Sequence, residues 1–215
     1  MVVVMIISIL AVLALPSLLG NTQDLAVYQA AQRVAELVQS GRSRALATGS
    51  AHAIVFSTNA VGGIGPQPGK FAVQQAQRTI GITPLVPVNS CRSPGAFGMN
   101  IGGALPTSSV VAPNTSPIVD NLVFGSERRF VDYDIRVAGF RGPAVPGGAD
   151  MWICFTPTGR AYIAQTAALL TGAPSLLSPV TVDIARFQGG ARQGLTRSVV
   201  VTPGSAPRIF SSQLP

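Results

Sequence analysis

Charged side chains are scarce in this protein. Lysine, arginine, aspartate and glutamate make up 11% of its 215 residues, against about a quarter in an average globular domain. Residues 1–20 carry no charge, and Lys70 is the single lysine beside fourteen arginines. Disordered chains combine high charge with few apolar residues, whereas 47% of this chain is hydrophobic. The composition excludes a wholly disordered protein and predicts a domain with a substantial core.

Residue types that perform metal and acid–base chemistry are also scarce. His52 is the only histidine, and the two cysteines form no C-x-x-C pair, which argues against the usual four-ligand zinc sites. The chain contains no G-x-S-x-G, H-E-x-x-H or P-loop motif. We therefore predict no catalytic residue, no metal and no cofactor. A membrane-anchored enzyme is kept as an alternative hypothesis.

The two cysteines leave two interpretations open. A Cys91–Cys154 disulfide is the economical one for an exported protein. Such a bond would close a loop of roughly 60 residues, worth about 4 kcal/mol in the chain-entropy model. The alternative is a pair of buried free thiols.

Residues 1–20, MVVVMIISILAVLALPSLLG, form the longest apolar run. Twenty helical residues span about 30 Å, the thickness of a bilayer's hydrocarbon core. A cleaved secretory signal would have a basic start and a shorter apolar core, and a core helix seldom lacks a polar face over such a length. We predict a membrane-anchoring helix over residues 1–20, kinked at Pro16.

Residues 21–49 have the pattern of an amphipathic helix. Apolar residues recur every three or four positions, as they do on a helix face that packs against a core, and Gly49 suits a helix C-terminus. The residues predicted to pack on the following domain are Val27, Ala31, Val34, Val38 and Ala45. The two halves are predicted to form one long helix, with two helices hinged at 16–20 as the alternative.

After Gly49 the pattern changes to the alternation that is typical of strands. We predict a β-rich domain over residues 50–215. Its predicted strands are 52–58, 70–77, 118–124, 129–137, 151–156, 160–165, 179–187, 196–202 and 207–211. The glycine-rich stretch 59–69 indicates a hairpin tip, and residues 81–117 indicate an irregular excursion.

Positive charge is concentrated near the C-terminus. Residues 136–215 hold seven basic and two acidic residues, a net charge of +5. Such a surface attracts anionic lipid or nucleic acid, or is simply solvated. Around residues 128–136, Asp132 and Asp134 alternate with arginines, which predicts a salt-bridge cluster, with a cation site as the alternative.

Residues 1–49 resemble the N-terminal helix of type IV pilin-like proteins. In that family a basic leader ending in Gly precedes Phe-Thr-Leu-Ile-Glu-Leu and an apolar run with a proline. The run from Met1 to Pro16 looks like the part that follows Glu-Leu. Phe155-Thr156-Pro157-Thr158-Gly159-Arg160, and Val199 to Gly204 followed by Arg208, resemble the GspH/FimT kind of minor pseudopilin.

The resemblance implies an α+β, pilin-like fold in which a long N-terminal helix, transmembrane plus amphipathic, packs on an antiparallel β-sheet domain. It implies a minor pilin or pseudopilin, a structural subunit of a type IV pilus or type II secretion pseudopilus. The implied location is the bacterial inner membrane, crossed once, with a periplasmic domain. Small and apolar residues would pack in the fibre core: Val4, Ile7, Ser8, Ala11, Ala14 and Pro16.

The implied partners are other pilin or pseudopilin subunits, the inner membrane and a prepilin peptidase acting on an upstream leader. We expect in-frame codons for that leader before Met1. The alternative function is a DNA-binding pilin subunit for DNA uptake, because some FimT-like members bind DNA through an arginine-containing C-terminal pattern. The candidate DNA contacts are Arg186, Arg192, Arg197 and Arg208.

Overall fold

The structure is a computed structural model that describes residues 2–57, 69–78, 86–92, 118–142, 150–164, 172–173, 175–176 and 178–212. Side chains of the first helix are described from Thr22 onward. This helix, α1, runs without interruption over Val2–Thr48, a length of about 70 Å at 1.5 Å per residue. Gly49 follows it with a φ of 67°, the left-handed conformation in which glycine commonly ends a helix.

Two antiparallel sheets follow the helix. The five-stranded sheet contains β1 (His52–Ser57), β2 (Lys70–Gln75), β5 (Ile118–Val123), β7 (Asp150–Phe155) and β8 (Ala161–Ala164), in the order β5-β2-β1-β7-β8. The four-stranded sheet contains β6 (Ile135–Arg141), β9 (Val180–Gln188), β10 (Ala191–Val201) and β11 (Arg208–Ser212), in the order β11-β10-β9-β6. A small ribbon pairs β3 (Gln77–Arg78) with β4 (Val86–Pro87), and a short helix, α2, covers Arg128–Asp132.

The expected α+β, pilin-like fold class is wrong. The two larger antiparallel sheets account for most of the described chain after the helix, so the protein is mainly β with one long N-terminal helix. The transmembrane helix that belonged to that fold class is not found either. Within the described residues, no helix combines the length and the hydropathy that crossing a membrane requires.

The segment predicted as a strand over 129–137 is instead a helical turn followed by a strand. α2 ends at Asp132, Asp134 has a φ of 49°, and β6 begins at Ile135. Aspartate tolerates this left-handed conformation better than most residues do. The helical turn buries Phe130, whose ring centroid lies 5.2 Å from that of Phe124, and this tertiary contact outweighs the local alternation of apolar and polar residues.

A cluster of phenylalanine rings joins the two larger sheets inside the main core. Phe56 on β1 contacts Phe71 on β2 at a centroid distance of 5.4 Å and Phe140 on β6 at 6.1 Å. Phe71 contacts Phe124 at 5.2 Å. Edge-to-face pairs such as Phe56–Phe71 stabilise a core by about 0.5–1.5 kcal/mol each beyond the area they bury. The sheets and the helix therefore share one core.

The five-stranded sheet is buried on both faces. Met151, Ile153 and Phe155 face the main core, whereas Trp152 and Cys154 belong to a second apolar cluster on the opposite face. Antiparallel sheets commonly leave one face in water, which produces alternation in the sequence. Burial of both faces explains why β7 has the continuous apolar sequence MWICF.

Candidate assembly surface

The apolar stripe of α1 fixes the helix to the β domain. All five residues predicted to pack on that domain are buried in the main core: Val27, Ala31, Val34, Val38 and Ala45. The contact is close at Gly41, where an added Cβ would lie 3.0 Å from Cγ1 of Ile54. Full burial of a valine or leucine side chain is worth about 1.5–3 kcal/mol, so the stripe holds the second half of α1 firmly against the sheets.

Large apolar side chains also occupy the solvent-facing side of α1. Leu25 is 54% exposed and Tyr28 is 36% exposed, and both lie beside the first residues of the buried stripe. The guanidinium carbon of Arg197 on β10 lies 5.5 Å from the centroid of the Tyr28 ring, within the range of a cation–π contact. The exposed side of α1 thus carries two large apolar side chains close to the uncharged residues 1–20.

The residues predicted to pack in a fibre core lie outside the described side chains. Val4, Ile7, Ser8, Ala11 and Ala14 belong to the first half of α1, as does Pro16. The described part of this half is its helical backbone. The role of these side chains stays a prediction from the sequence.

Cys91 and Cys154 form a disulfide with a Cα–Cα distance of 5.9 Å. Both residues are buried, and the bond attaches the 86–92 segment to β7. Backbone hydrogen bonds hold the same segment, because the amide of Ala51 donates to the carbonyl of Val88 at 2.7 Å and the amide of Val88 donates to Ala76 at 3.0 Å. A bond of this kind is stable in an oxidising compartment.

His52 is a buried structural residue at the start of β1. Its Nδ1 lies 3.1 Å from the carbonyl oxygen of Ser50, and the side chain is 1% exposed. Burial lowers the pKa of His52 below its ordinary value near 6.5, and the positive charge of Arg44 lowers it further, against the opposing effect of the Ser50 carbonyl. Burial therefore favours the neutral form of the histidine.

The four arginines proposed as DNA contacts are divided between two faces of the four-stranded sheet. Arg197 faces α1 and stacks on Tyr28. Arg186 alternates with the core residue Ile184 and lies on that same face. Arg192 on β10 and Arg208 on β11 lie on the other face of the sheet. They are far apart, because Arg192 pairs with Phe187 at one end of β10 and Arg208 pairs with Val200 near the other end. The structure thus does not bring the four together on one surface, and DNA binding stays a prediction.

The opposite face of the four-stranded sheet carries a polar cluster that the sequence did not indicate. Asp183 on β9 is 7% exposed. Its Oδ1 accepts hydrogen bonds from Oγ of Ser198 on β10 at 2.7 Å and from Nη2 of Arg141 on β6 at 2.8 Å. The hydrogen bond from Arg141 to Asp183, together with the charge of this carboxylate, raises the pKa of Arg141. The cluster ties three strands together, and the buried carboxylate is fully engaged.

The acidic residues near α2 form separate ion pairs. Arg128 lies 3.7 Å from Asp132 along the helix surface, with both side chains largely exposed. Arg136 pairs with both oxygens of Asp134 and lies over the ring of Phe187 at 5.4 Å. The described side chains contain no group of three His, Cys, Asp or Glu residues that would hold a metal ion.

An open groove of about 370 Å³ separates the last turns of α1 from the loop between β10 and β11. Its walls include Val38, Leu46 and Pro207. Arg42 crosses from the helix to the loop, where Nη1 donates to the carbonyl oxygen of Ser205 at 2.9 Å. The groove is therefore an open contact region between α1 and the β10–β11 loop, and it is not an enclosed pocket.

No family model, curated protein or solved structure matches this chain. Its function is therefore inferred from the sequence pattern and from the geometry of the described residues.

Proposed function

We propose that this protein is a minor pilin or pseudopilin, a structural subunit of a type IV pilus or of a type II secretion pseudopilus. Its partners would be other pilin or pseudopilin subunits, and it would join the fibre at the bacterial inner membrane. A prepilin peptidase would act on any upstream leader. The β domain would lie on the outside of the fibre and choose its neighbours.

The construction of α1 carries this proposal. From Val27 to Ala45 the helix is fixed to the β domain by a buried stripe, whereas the sequence of residues 1–20 contains no charge. Both halves belong to one continuous helix. A rigid domain that carries an uncharged helical extension can assemble by packing such extensions together, because close van der Waals contact between apolar helices needs no polar partner.

Two further observations support the proposal. Leu25 and Tyr28 extend apolar surface along the exposed side of α1, so a neighbouring helix would find a contact beyond residue 20. The Cys91–Cys154 disulfide supports export, since cytosolic proteins seldom keep a structural disulfide. We therefore propose a periplasmic location for the β domain.

Incorporation into fibres is the test. The turn between β9 and β10 consists of Gly189 and Gly190, both exposed and both with positive φ, and an epitope inserted there would report the protein in sheared fibres of the bacterium that encodes it. Ala11→Arg should lower the fibre-bound fraction by at least about tenfold, because an unpaired charge is costly in an apolar helix bundle. The matched control is Gln32→Arg on the exposed side of α1.

We expect the control to enter fibres as the unaltered protein does. The Cys91–Cys154 disulfide should form in all three proteins, which would show that the β domain has folded. Absence of the unaltered protein from fibres would refute the proposal. Equal incorporation of Ala11→Arg and the control would refute the role assigned to residues 1–20.

A further inference from the structure

Both edges of the five-stranded sheet are protected against pairing with another strand. β5 contains a bulge where its register with β2 shifts, and it carries Asp120, whose Oδ2 lies 3.5 Å from Oγ of Ser40 on α1. β8 is covered by a segment that forms a bridge between Tyr162 and Ser175 and a hydrogen bond from the amide of Leu176 to the carbonyl of Ala161 at 2.8 Å. Bulges, inward-pointing charges and covering segments are the devices by which native proteins prevent edge pairing.

One edge of the four-stranded sheet is protected in the same manner. β6 has a bulge between Val137 and Gly139. The side chain of Arg192 reaches across from β10, and its Nη2 donates to the carbonyl oxygen of Ala138 at 2.7 Å. This occupies a backbone acceptor at the bulge and adds a positive charge beside the edge, so another strand cannot extend the sheet there without displacing the arginine.

β11, at the other edge, carries no such device. It pairs with β10 in an unbroken register, from Arg208 opposite Val200 to Ser212 opposite Thr196. Its sequence RIFSS contains no proline and no acidic residue, and its one charge lies at the first position. Phe210, at the centre, is 51% exposed. Among the described strands of the two larger sheets, β11 is thus the unprotected edge.

We infer that β11 pairs with the β11 strand of a second copy of this protein, antiparallel and centred on Phe210, to form a twofold-symmetric dimer. In this register Phe210 lies opposite Phe210 of the second copy, Ile209 opposite Ser211, and Arg208 opposite Ser212. The two arginines lie at opposite ends of the pair, so no like charges meet. The aromatic residues at the centre form a cross-strand pair of the kind that stabilises antiparallel sheets.

The expected dimer is weak and depends on concentration. In an antiparallel ladder, hydrogen-bonded and non-hydrogen-bonded residue pairs alternate, and each hydrogen-bonded pair contributes two backbone hydrogen bonds. Five paired residues therefore form six such bonds if the central pair is hydrogen-bonded and four if it is not. The contact is much smaller than the ~1,600 Å² that a typical stable interface buries. A twofold contact closes on itself and does not propagate, so the inference is independent of the proposed fibre.

Cysteine crosslinking tests the symmetry directly. The full-length protein, kept in a mild non-ionic detergent, would carry Phe210→Cys or, as the control, Arg128→Cys on α2, where the arginine side chain is 93% exposed. Under mild oxidation we expect about tenfold more disulfide-linked dimer from Phe210→Cys, because paired strands hold opposite Cβ atoms about 5 Å apart. The buried Cys91–Cys154 bond is present in both proteins.

A second variant tests the same contact without crosslinking. Phe210→Lys places two like charges opposite each other at the centre of the pair, and the exposed position allows the change without disturbing the core. In sedimentation velocity, the concentration-dependent dimer of the unaltered protein should be lost in Phe210→Lys. Equal crosslinking of the two cysteine variants, or equal dimerisation of Phe210→Lys and the unaltered protein, would overturn the inference.

Discussion

Removal of the Cys91–Cys154 disulfide should cost the protein a large part of its stability. The bond joins residues separated by 63 positions, and the chain-entropy model gives about 4 kcal/mol for a loop of that length. Domains of ordinary stability have a free energy of unfolding of about 5–15 kcal/mol. The double variant Cys91→Ala with Cys154→Ala should therefore remain folded at low temperature, but its unfolding midpoint should lie at a much lower temperature and urea concentration than that of the unaltered protein.

Part of the native contact survives without the bond. The 86–92 segment keeps the backbone hydrogen bonds that Val88 makes with Ala51 and Ala76, so the segment should stay docked on the five-stranded sheet in the folded variant. The loss of stability should then come mainly from the greater freedom of the unfolded chain. A rise in the denaturant dependence of unfolding should accompany it, since the unlinked chain exposes more surface.

Urea unfolding followed by the fluorescence of Trp152 is a suitable assay. Trp152 is the single tryptophan of the chain and lies in the same buried cluster as Cys91 and Cys154. The unaltered protein unfolded in the presence of a reductant is the matched control, and its midpoint should approach that of the double variant. A double variant within about 1 kcal/mol of the oxidised protein would refute the chain-entropy reasoning.

Three further substitutions test the packing and electrostatics of the β domain. Gly41→Leu should lower the thermal midpoint, with an overpacking cost of about 1–3 kcal/mol, because its Cβ would lie 3.0 Å from Cγ1 of Ile54; an unchanged midpoint would contradict this close helix–sheet contact. Because the pKa of His52 is lower in the folded protein, its contribution to stability is complete above about pH 6.5 and is lost as the pH falls towards the folded pKa. His52→Gln should make the urea midpoint less dependent on pH between about pH 7 and 5. An unchanged pH dependence of the midpoint would show that it arises from other groups. Asp183→Ala should cost about 1–3 kcal/mol in urea unfolding, since it removes the acceptor of buried hydrogen bonds, whereas Asp132→Ala, at an exposed ion pair, should stay within about 0.5 kcal/mol; equal effects would exclude a special role for the buried carboxylate.

The sequence alone was sufficient to predict features that depend on one helix or one turn. The spacing of Val27, Ala31, Val34 and Val38 indicates the buried stripe of α1 because each helical turn repeats the same direction relative to the core. Gly49 indicates the end of α1 because glycine accepts the positive φ, here 67°. Local chemistry determines both features, so both can be read without knowledge of the tertiary fold.

Features that depend on which strands meet could not be predicted in this way. β1 lies between β2 and β7, yet β7 follows β1 by almost a hundred residues, and alternation gives no pairing partner. The cluster of Arg141, Asp183 and Ser198 exists because three strands are in register. Arg197 was expected at a DNA surface, but it pairs with the core residue Ile184 on β9 and therefore lies on the face that packs against α1.

The β11 dimer and the proposed fibre require different orientations of α1. The helix runs in the same direction as β10, since Asp24 approaches Gly194, Tyr28 contacts Arg197, and Val38 lies across the groove from Val201. The twofold axis of the dimer lies between the two β11 strands and reverses the direction of every element that runs along them. The two copies of α1 would therefore be antiparallel. Subunits related by head-to-tail helical assembly keep their helices parallel.

The same pair of subunits therefore cannot satisfy both arrangements, and the dimer belongs to the unassembled protein. Phe210→Lys should then abolish the dimer and leave incorporation into sheared fibres undiminished. Ala11→Arg should have the opposite pattern, with normal Phe210-centred pairing and loss from fibres. Loss of fibre incorporation in Phe210→Lys would show that β11 contacts a neighbour in the fibre. It would contradict the conclusion that dimer formation and fibre assembly use different surfaces, β11 and α1.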